Sequence, residues 1–277
     1  MLFKLIALDI DGTLTNSRKT ISARTKSKLI AFQKNGGKIV LASGRPTQGV
    51  MPYADALRLK ELGGYIMPYN GGCITECSTG NILYRNFLPH SYIPQICSMI
   101  KDYPVGINTY KDGKILAGQQ INKYTELEAR INFMELEFDP NFAESITEDV
   151  PKCLLHGEPE VISELEVILS ERFGNELGIF KSEPFFLEIV PKTVDKAQSL
   201  ERLLKTLGFS TDECMAFGDG FNDITMIRYA GLGIAMNNAS DTVKREADYV
   251  TGSNDEDGIA NLLEEMGRSV FPLLAML

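Results

Sequence analysis

The apolar positions of this chain fall into short runs. Phe3 to Ile10 is apolar except for Lys4 and Asp9, and Lys38–Ala42, Tyr65–Met67, Cys214–Phe217 and Leu232–Met236 repeat the design. Each run is bounded by glycine or polar residues. Unbroken apolarity over so few residues suits strands buried on both faces, as in a parallel sheet.

Between these runs the spacing becomes helical. Ser22 to Asn35 opens on a capping residue, places Thr25, Leu29 and Phe32 on one side and stops at Gly36-Gly37. Asp195 to Leu207 does the same with Ala197, Leu200, Leu203 and Leu204, and Gly208 ends it. Asn222–Tyr229 and Asp241–Ala247 are shorter patterns. Alternating strands and helices predict an α/β fold with a doubly wound, mostly parallel, Rossmann-like sheet.

The middle of the chain reads differently. Helical patterns at Leu127–Leu136 and Pro159–Phe173 sit among strand-like runs at Val105–Tyr110, Leu154–His156 and Phe185–Ile189, with Pro184 and Pro191 at the exit. We read 83–189 as an inserted α+β domain, and 1–82 with 190–277 as a core divided in sequence.

Composition narrows the function classes. With 28 basic against 37 acidic residues the net charge is −9, which disfavours nucleic acid and anionic membranes as partners. Five scattered cysteines, an odd number, argue against a disulfide framework and for a reducing, cytoplasmic setting. Cys73 and Cys77 have no second pair, and His90 and His156 are distant, so a structural zinc site is not expected. Asp9 interrupts the first apolar run too early for a signal peptide, and no run reaches the ~18–20 residues of a membrane span.

The candidate chemistry lies where the strands end. The first run leads into Asp9-Ile10-Asp11-Gly12-Thr13; two residues apart in extended chain, the carboxylates are expected on one side. Two such groups tolerate each other when a cation lies between them or one is protonated. The second run ends in Ser43-Gly44-Arg45, whose hydroxyl and backbone N–H groups suit a phosphate oxygen. Cys214–Phe217 leads into Gly218-Asp219-Gly220-Phe221-Asn222-Asp223, and Lys196 stands near the start of a helix before it. A parallel sheet brings such clusters together beyond the carboxyl ends of its strands. Three aspartates and a dianionic phosphate are compatible only with Mg²⁺ and a cation such as Lys196, so the set predicts a Mg²⁺-dependent phosphoryl site.

These residues resemble the haloacid dehalogenase superfamily, and within it the Cof-like sugar and metabolite phosphatases, whose large cap is inserted between the second and third motifs. The motifs are matched by Asp9-Ile-Asp11-Gly-Thr13, Ser43-Gly-Arg45, Lys196 and Gly218-Asp219-Gly-Phe-Asn222-Asp223. Asn70-Gly71-Gly72, Glu188-Ile-Val-Pro191, Ala235-Met-Asn-Asn238-Ala239 and Asp255-Glu-Asp-Gly258 add to the likeness. Ala197 and Asn237 depart from it, each standing where the family usually has glycine.

The resemblance implies a phosphatase acting on a small phosphorylated metabolite, foremost a sugar phosphate, through an aspartyl phosphate. Asp9 is then the nucleophile and Asp11 the acid and base. Mg²⁺ is held by Asp9, the Asp11 backbone carbonyl and Asp219, with Asp223 supporting the metal or Lys196. Ser43, Gly44, Lys196 and Asn222 hold phosphate oxygens, Thr13 orients the nucleophile loop, and Arg45, Asn70 and Gly71 help to hold substrate. A phosphomutase would share this chemistry, and a non-catalytic phosphate-binding module is the alternative outside enzymes. A monomer or weak homo-oligomer is expected, with the apolar tail Phe271–Leu277 packed on its own domain.

Overall fold

The computed structural model describes residues 3–268, so the tail at 271–277 lies outside the described residues. Two sheets organise the chain. The larger has eight strands, and its spatial order is Tyr249–Val250, Leu232–Ala235, Cys214–Gly218, Leu5–Leu8, Lys38–Ala42, Tyr65–Met67, Cys73–Glu76, Ile82–Arg85. The first six run parallel, and Cys73–Glu76 pairs antiparallel with Tyr65–Met67.

The central strands are buried on both faces, which is why their sequences read as unbroken apolar runs. Ile6, Leu8, Ile39, Leu41, Met215 and Phe217 join Leu29 and Ile259 of two helices in one core. Ala235 packs with Ile227 and Val243 in another. The doubly wound α/β reading holds for this sheet.

The helices begin and end for local reasons. Ser22 accepts the N–H of Thr25 ahead of Ala23–Lys34. Asp195 accepts the N–H of Gln198 ahead of Lys196–Leu207, and Gly208 closes that helix at φ 68°.

By their internal contacts the described residues form two compact units: 3–44, 50–83 and 195–268 in one, 45–49 and 84–194 in the other. The second unit carries a six-stranded sheet, in the order Leu177–Glu183, Phe186–Pro191, Cys153–His156, Gly106–Lys111, Lys114–Gly118, Leu136–Phe138. It is antiparallel except for the last pair. One face supplies Ile107, Leu155, Leu187 and Ile189 to a core shared with Ile96, Leu165 and Leu169 of two helices.

The helix Pro159–Phe173 has the bounds its pattern predicts. The pattern at Leu127–Leu136 is corrected: the helix is Lys123–Ile131, and Leu136 opens a strand. Its buried positions are Thr125 and Glu128, so apolar spacing points to the wrong residues.

Candidate active site

In the first unit the chain adds strands outward from Leu5–Leu8 through Lys38–Ala42 to Tyr65–Met67. It later returns on the other side with Cys214–Gly218 and Leu232–Ala235. The reversal opens between Leu5–Leu8 and Cys214–Gly218, and loops from the carboxyl ends of both strands meet there. Asp9 leaves one strand and Asp219 the other.

A single buried ammonium ties this edge together. Lys196 Nζ donates to Asp9 Oδ1 at 2.7 Å and to Asp223 Oδ1 at 2.6 Å. Lys196 and Asp223 are almost fully buried, and Asp9 nearly so. The Asp223 second oxygen accepts the backbone N–H groups of Asp219, at 3.0 Å, and Gly220, at 2.9 Å. Asp223 thus braces both the lysine and the loop that carries Asp219. Thr13 Oγ1 donates to Asp219 Oδ1 at 2.8 Å.

Asp9, Asp219 and Asp223 offer carboxylate oxygens that all lie within 4.8 Å of one another. Three carboxylates against one ammonium leave excess negative charge in a place largely closed to water. Burial, then Asp223, push the Asp9 carboxyl far above the usual range against the pull of Lys196. Burial, then Asp223, raise Asp219 to about 6, although the Thr13 hydrogen bond opposes this. Burial alone would lower Lys196; Asp223 and Asp9 outweigh it and hold the lysine protonated. An all-oxygen donor set with uncompensated charge fits a hard divalent cation such as Mg²⁺. Asp9 and Asp219 could hold it, while Asp223 is committed to the Lys196 ammonium and to two backbone N–H groups.

Asp11 does not share this cluster through its side chain. The strand ends at Leu8 and Gly12 turns at φ 82°, so the alternation of extended chain does not reach Asp11. Its carboxylate meets Lys19 Nζ at 2.7 Å on an exposed surface. Asp9 and Asp11 therefore have separate cations, where the sequence suggested one shared side.

The remaining candidate residues divide. Asn222 Nδ2 donates to Asn70 Oδ1 at 2.9 Å, and Gly44 lies against the Asn70 side chain. Ser43 is buried, and its carbonyl accepts the Asn70 N–H at 2.8 Å. The Gly71 carbonyl accepts Ser199 Oγ at 2.6 Å. Ser43, Gly44, Asn70, Gly71 and Asn222 thus form one linked group of loops. Arg45 belongs to the second unit, where its guanidinium donates to the Ile131 carbonyl at 2.7 Å.

Lys19 escaped sequence reasoning because it has no motif of its own. So did Lys152, which is buried in the second unit with Nζ 2.6 Å from Glu188 Oε2.

Among the described residues, no helix is long and apolar enough to cross a membrane. A family model described as haloacid dehalogenase-like hydrolase matches residues 6–263. The Bacillus subtilis protein named 5-amino-6-(5-phospho-D-ribitylamino)uracil phosphatase YcsE is 31% identical over 260 residues, 94% of this chain and 94% of that one. A haloacid dehalogenase-like hydrolase from Bacteroides thetaiotaomicron has a similar structure, with TM-score 0.91, 43% identity, and coverage of 95% of this chain and 99% of that one. The HAD subclass IIB sugar phosphatase BT4131 gives TM-score 0.79 at 26% identity, over 95% of this chain and 99% of that one. The family match spans both the carboxylate cluster around Lys196 and the inserted second unit, and the chain belongs to the haloacid dehalogenase-like hydrolases.

Proposed function

We propose that this protein is a Mg²⁺-dependent phosphatase that hydrolyses a small phosphorylated metabolite through an aspartyl phosphate. The observation that carries the reading is the meeting of Asp9, Asp219 and Asp223 around the buried Lys196 at the reversal of the sheet. A phosphate ester on a polyhydroxylated carbon chain, foremost a sugar phosphate, is the proposed substrate class. Two similar proteins support it by name, one acting on a phosphoribityl compound and one a sugar phosphatase.

In this reading an Asp9 carboxylate oxygen attacks phosphorus as the ester P–O bond breaks, and Asp11, released from its ion pair with Lys19 and protonated, gives its proton to the leaving alcohol. Water then attacks the aspartyl phosphate, Asp11 takes the water proton, and inorganic phosphate leaves with the Asp9 carboxylate restored. Lys196, Ser43 and Asn222, with the Gly44 backbone, hold the phosphate oxygens as charge shifts between them. Thr13 keeps the nucleophile loop in register with Asp219. Asp9, Asp219 and the Asp11 carbonyl would hold Mg²⁺, which would supply the positive charge that lets an anionic phosphate approach an anionic nucleophile.

The inserted domain, 83–189, is assigned the choice of leaving group, with Arg45, Asn70 and Gly71 as further substrate contacts. Five free cysteines support a reducing, cytoplasmic setting.

The test is release of p-nitrophenol from p-nitrophenyl phosphate, with and without Mg²⁺. Asp9→Asn is expected to lose at least ~10³-fold in kcat, the scale seen when a nucleophile is removed. Wild-type turnover by this variant would overturn the nucleophile assignment.

A further inference from the structure

We propose that Asn238 is a positioning residue: its side-chain amide grips the Asp219 carboxylate and the Gly12 carbonyl together, and so prepares Asp219 to take a divalent cation. The inference rests on the metal reading above and extends it to a residue outside the carboxylate set.

Asn238 Nδ2 donates to the Gly12 carbonyl at 2.9 Å and to Asp219 Oδ2 at 3.3 Å. The other Asp219 oxygen is taken by Thr13 at 2.8 Å. Each oxygen of this carboxylate therefore has its own donor, and the donors come from chain segments far apart in sequence. Turning the carboxylate breaks both bonds.

The orientation of the Asn238 amide is itself determined. Its Oδ1 accepts the backbone N–H of Asn254 at 3.0 Å. A flipped amide would place its oxygen against two other oxygens and its NH₂ against an N–H, losing all three bonds. Asn254 in turn donates through Nδ2 to the Thr15 carbonyl at 2.8 Å. Asp255 accepts the Ser17 N–H at 2.8 Å. The loop after Leu232–Ala235 and the segment 254–255 thereby pin the turn that follows Asp9 and Asp11.

Asn238 is exposed, so its bonds do not satisfy a buried core. Their effect falls on the geometry of Gly12 and Asp219. A carboxylate already oriented on both oxygens loses less freedom when a cation arrives. Partners that orient metal ligands are commonly worth ~10–100-fold in metal affinity.

The experiment measures Mn²⁺ uptake by the full chain without substrate, read from the electron paramagnetic resonance signal of free Mn²⁺. Asn238→Ala is expected to raise the Mn²⁺ dissociation constant ~10-fold or more, with little change in the melting temperature of the metal-free protein. Thr13→Val is expected to weaken uptake too. The double variant should lose less than the product of the single effects, because both donors act on one carboxylate. Should Asn238→Ala fail to fold, Asn238→Ser gives the same comparison.

Unchanged affinity in the Asn238 variant, or fully multiplicative losses, would overturn the positioning role. So would an affinity loss matched by an equal destabilisation of the metal-free protein. If wild-type protein takes up no Mn²⁺, the metal reading itself fails, which is a separate and recognisable result.

Discussion

Lys196 Nζ stands 2.7 Å from Asp9 Oδ1, although the two residues are 187 positions apart in sequence. The same ammonium reaches Asp223, so one cation serves two buried carboxylates. Lys196→Met should leave both without a counter-charge. We expect a loss of about 3–5 kcal/mol at pH 7, the usual cost of removing one partner from a buried pair. Urea unfolding of the variant beside the wild type checks this; an unchanged midpoint would mean that the buried ammonium does not hold this edge together.

Gly12 turns at φ 82°, and a Cβ there would collide with the Asp219 carboxylate. Gly12→Ala therefore meets both backbone strain and a displaced Asp219. We expect ~1–3 kcal/mol of destabilisation together with a clear rise in the Mg²⁺ concentration needed for half-maximal activity. A variant with wild-type metal dependence would show that Asp219 moves aside without consequence.

Removing the metal should abolish turnover and lower the melting temperature. Mg²⁺ at 100 times its dissociation constant should restore about 2.7 kcal/mol. Because the Asp219 carboxyl lies at about 6 without metal, protons compete for the site. Mg²⁺ affinity should fall as pH drops from about 7 to 5. Calorimetric titration across that range would expose the opposite trend if it existed.

Much of the first unit could be read from sequence because its signals are redundant. Lys38–Ala42 and Tyr65–Met67 are strands with the bounds their apolar runs predict, and Asp195 and Gly208 mark both ends of one helix. The carboxylate cluster was legible for the same reason: parallel neighbours deliver their following loops to one edge. The side chain of Asp11 was not, because a single turn at Gly12 sends it toward Lys19. The second unit was harder. In Lys123–Ile131 the buried positions are Thr125 and Glu128, while Ile131 is 39% exposed. A helix that buries polar groups carries no apolar stripe. It is started by Asn122, whose side chain accepts the N–H groups of Tyr124 and Thr125.

His156 gives the second unit a pH response. It is wholly buried, with Nδ1 3.1 Å from Asn122 Oδ1. Burial lowers its pKa from 6.5 to about 4. The folded state thus keeps the ring neutral where the unfolded chain would take a proton. Stability from this group is complete above about 6.5, declines as pH falls and is gone by about 4, a change of up to about 3 kcal/mol. The wild-type urea midpoint should fall more steeply over this window than that of His156→Gln. Parallel curves would rule out the assignment.

The pairing of Leu5–Leu8 with Cys214–Gly218 has a kinetic consequence. These strands meet only after the chain has closed a loop that contains the entire second unit. Closing so distant a contact is slow, since the entropy is lost before the pairing rewards it. The second unit is nearly continuous in sequence, so its contacts are more local than the pairing of these two strands. Thermodynamically the same loop is tolerant of length: doubling it adds only about 0.6 kcal/mol to the closure cost. An insertion at this point of the fold is therefore free to grow or be exchanged, leaving the aspartates and the lysine to reassemble around whatever lies between them.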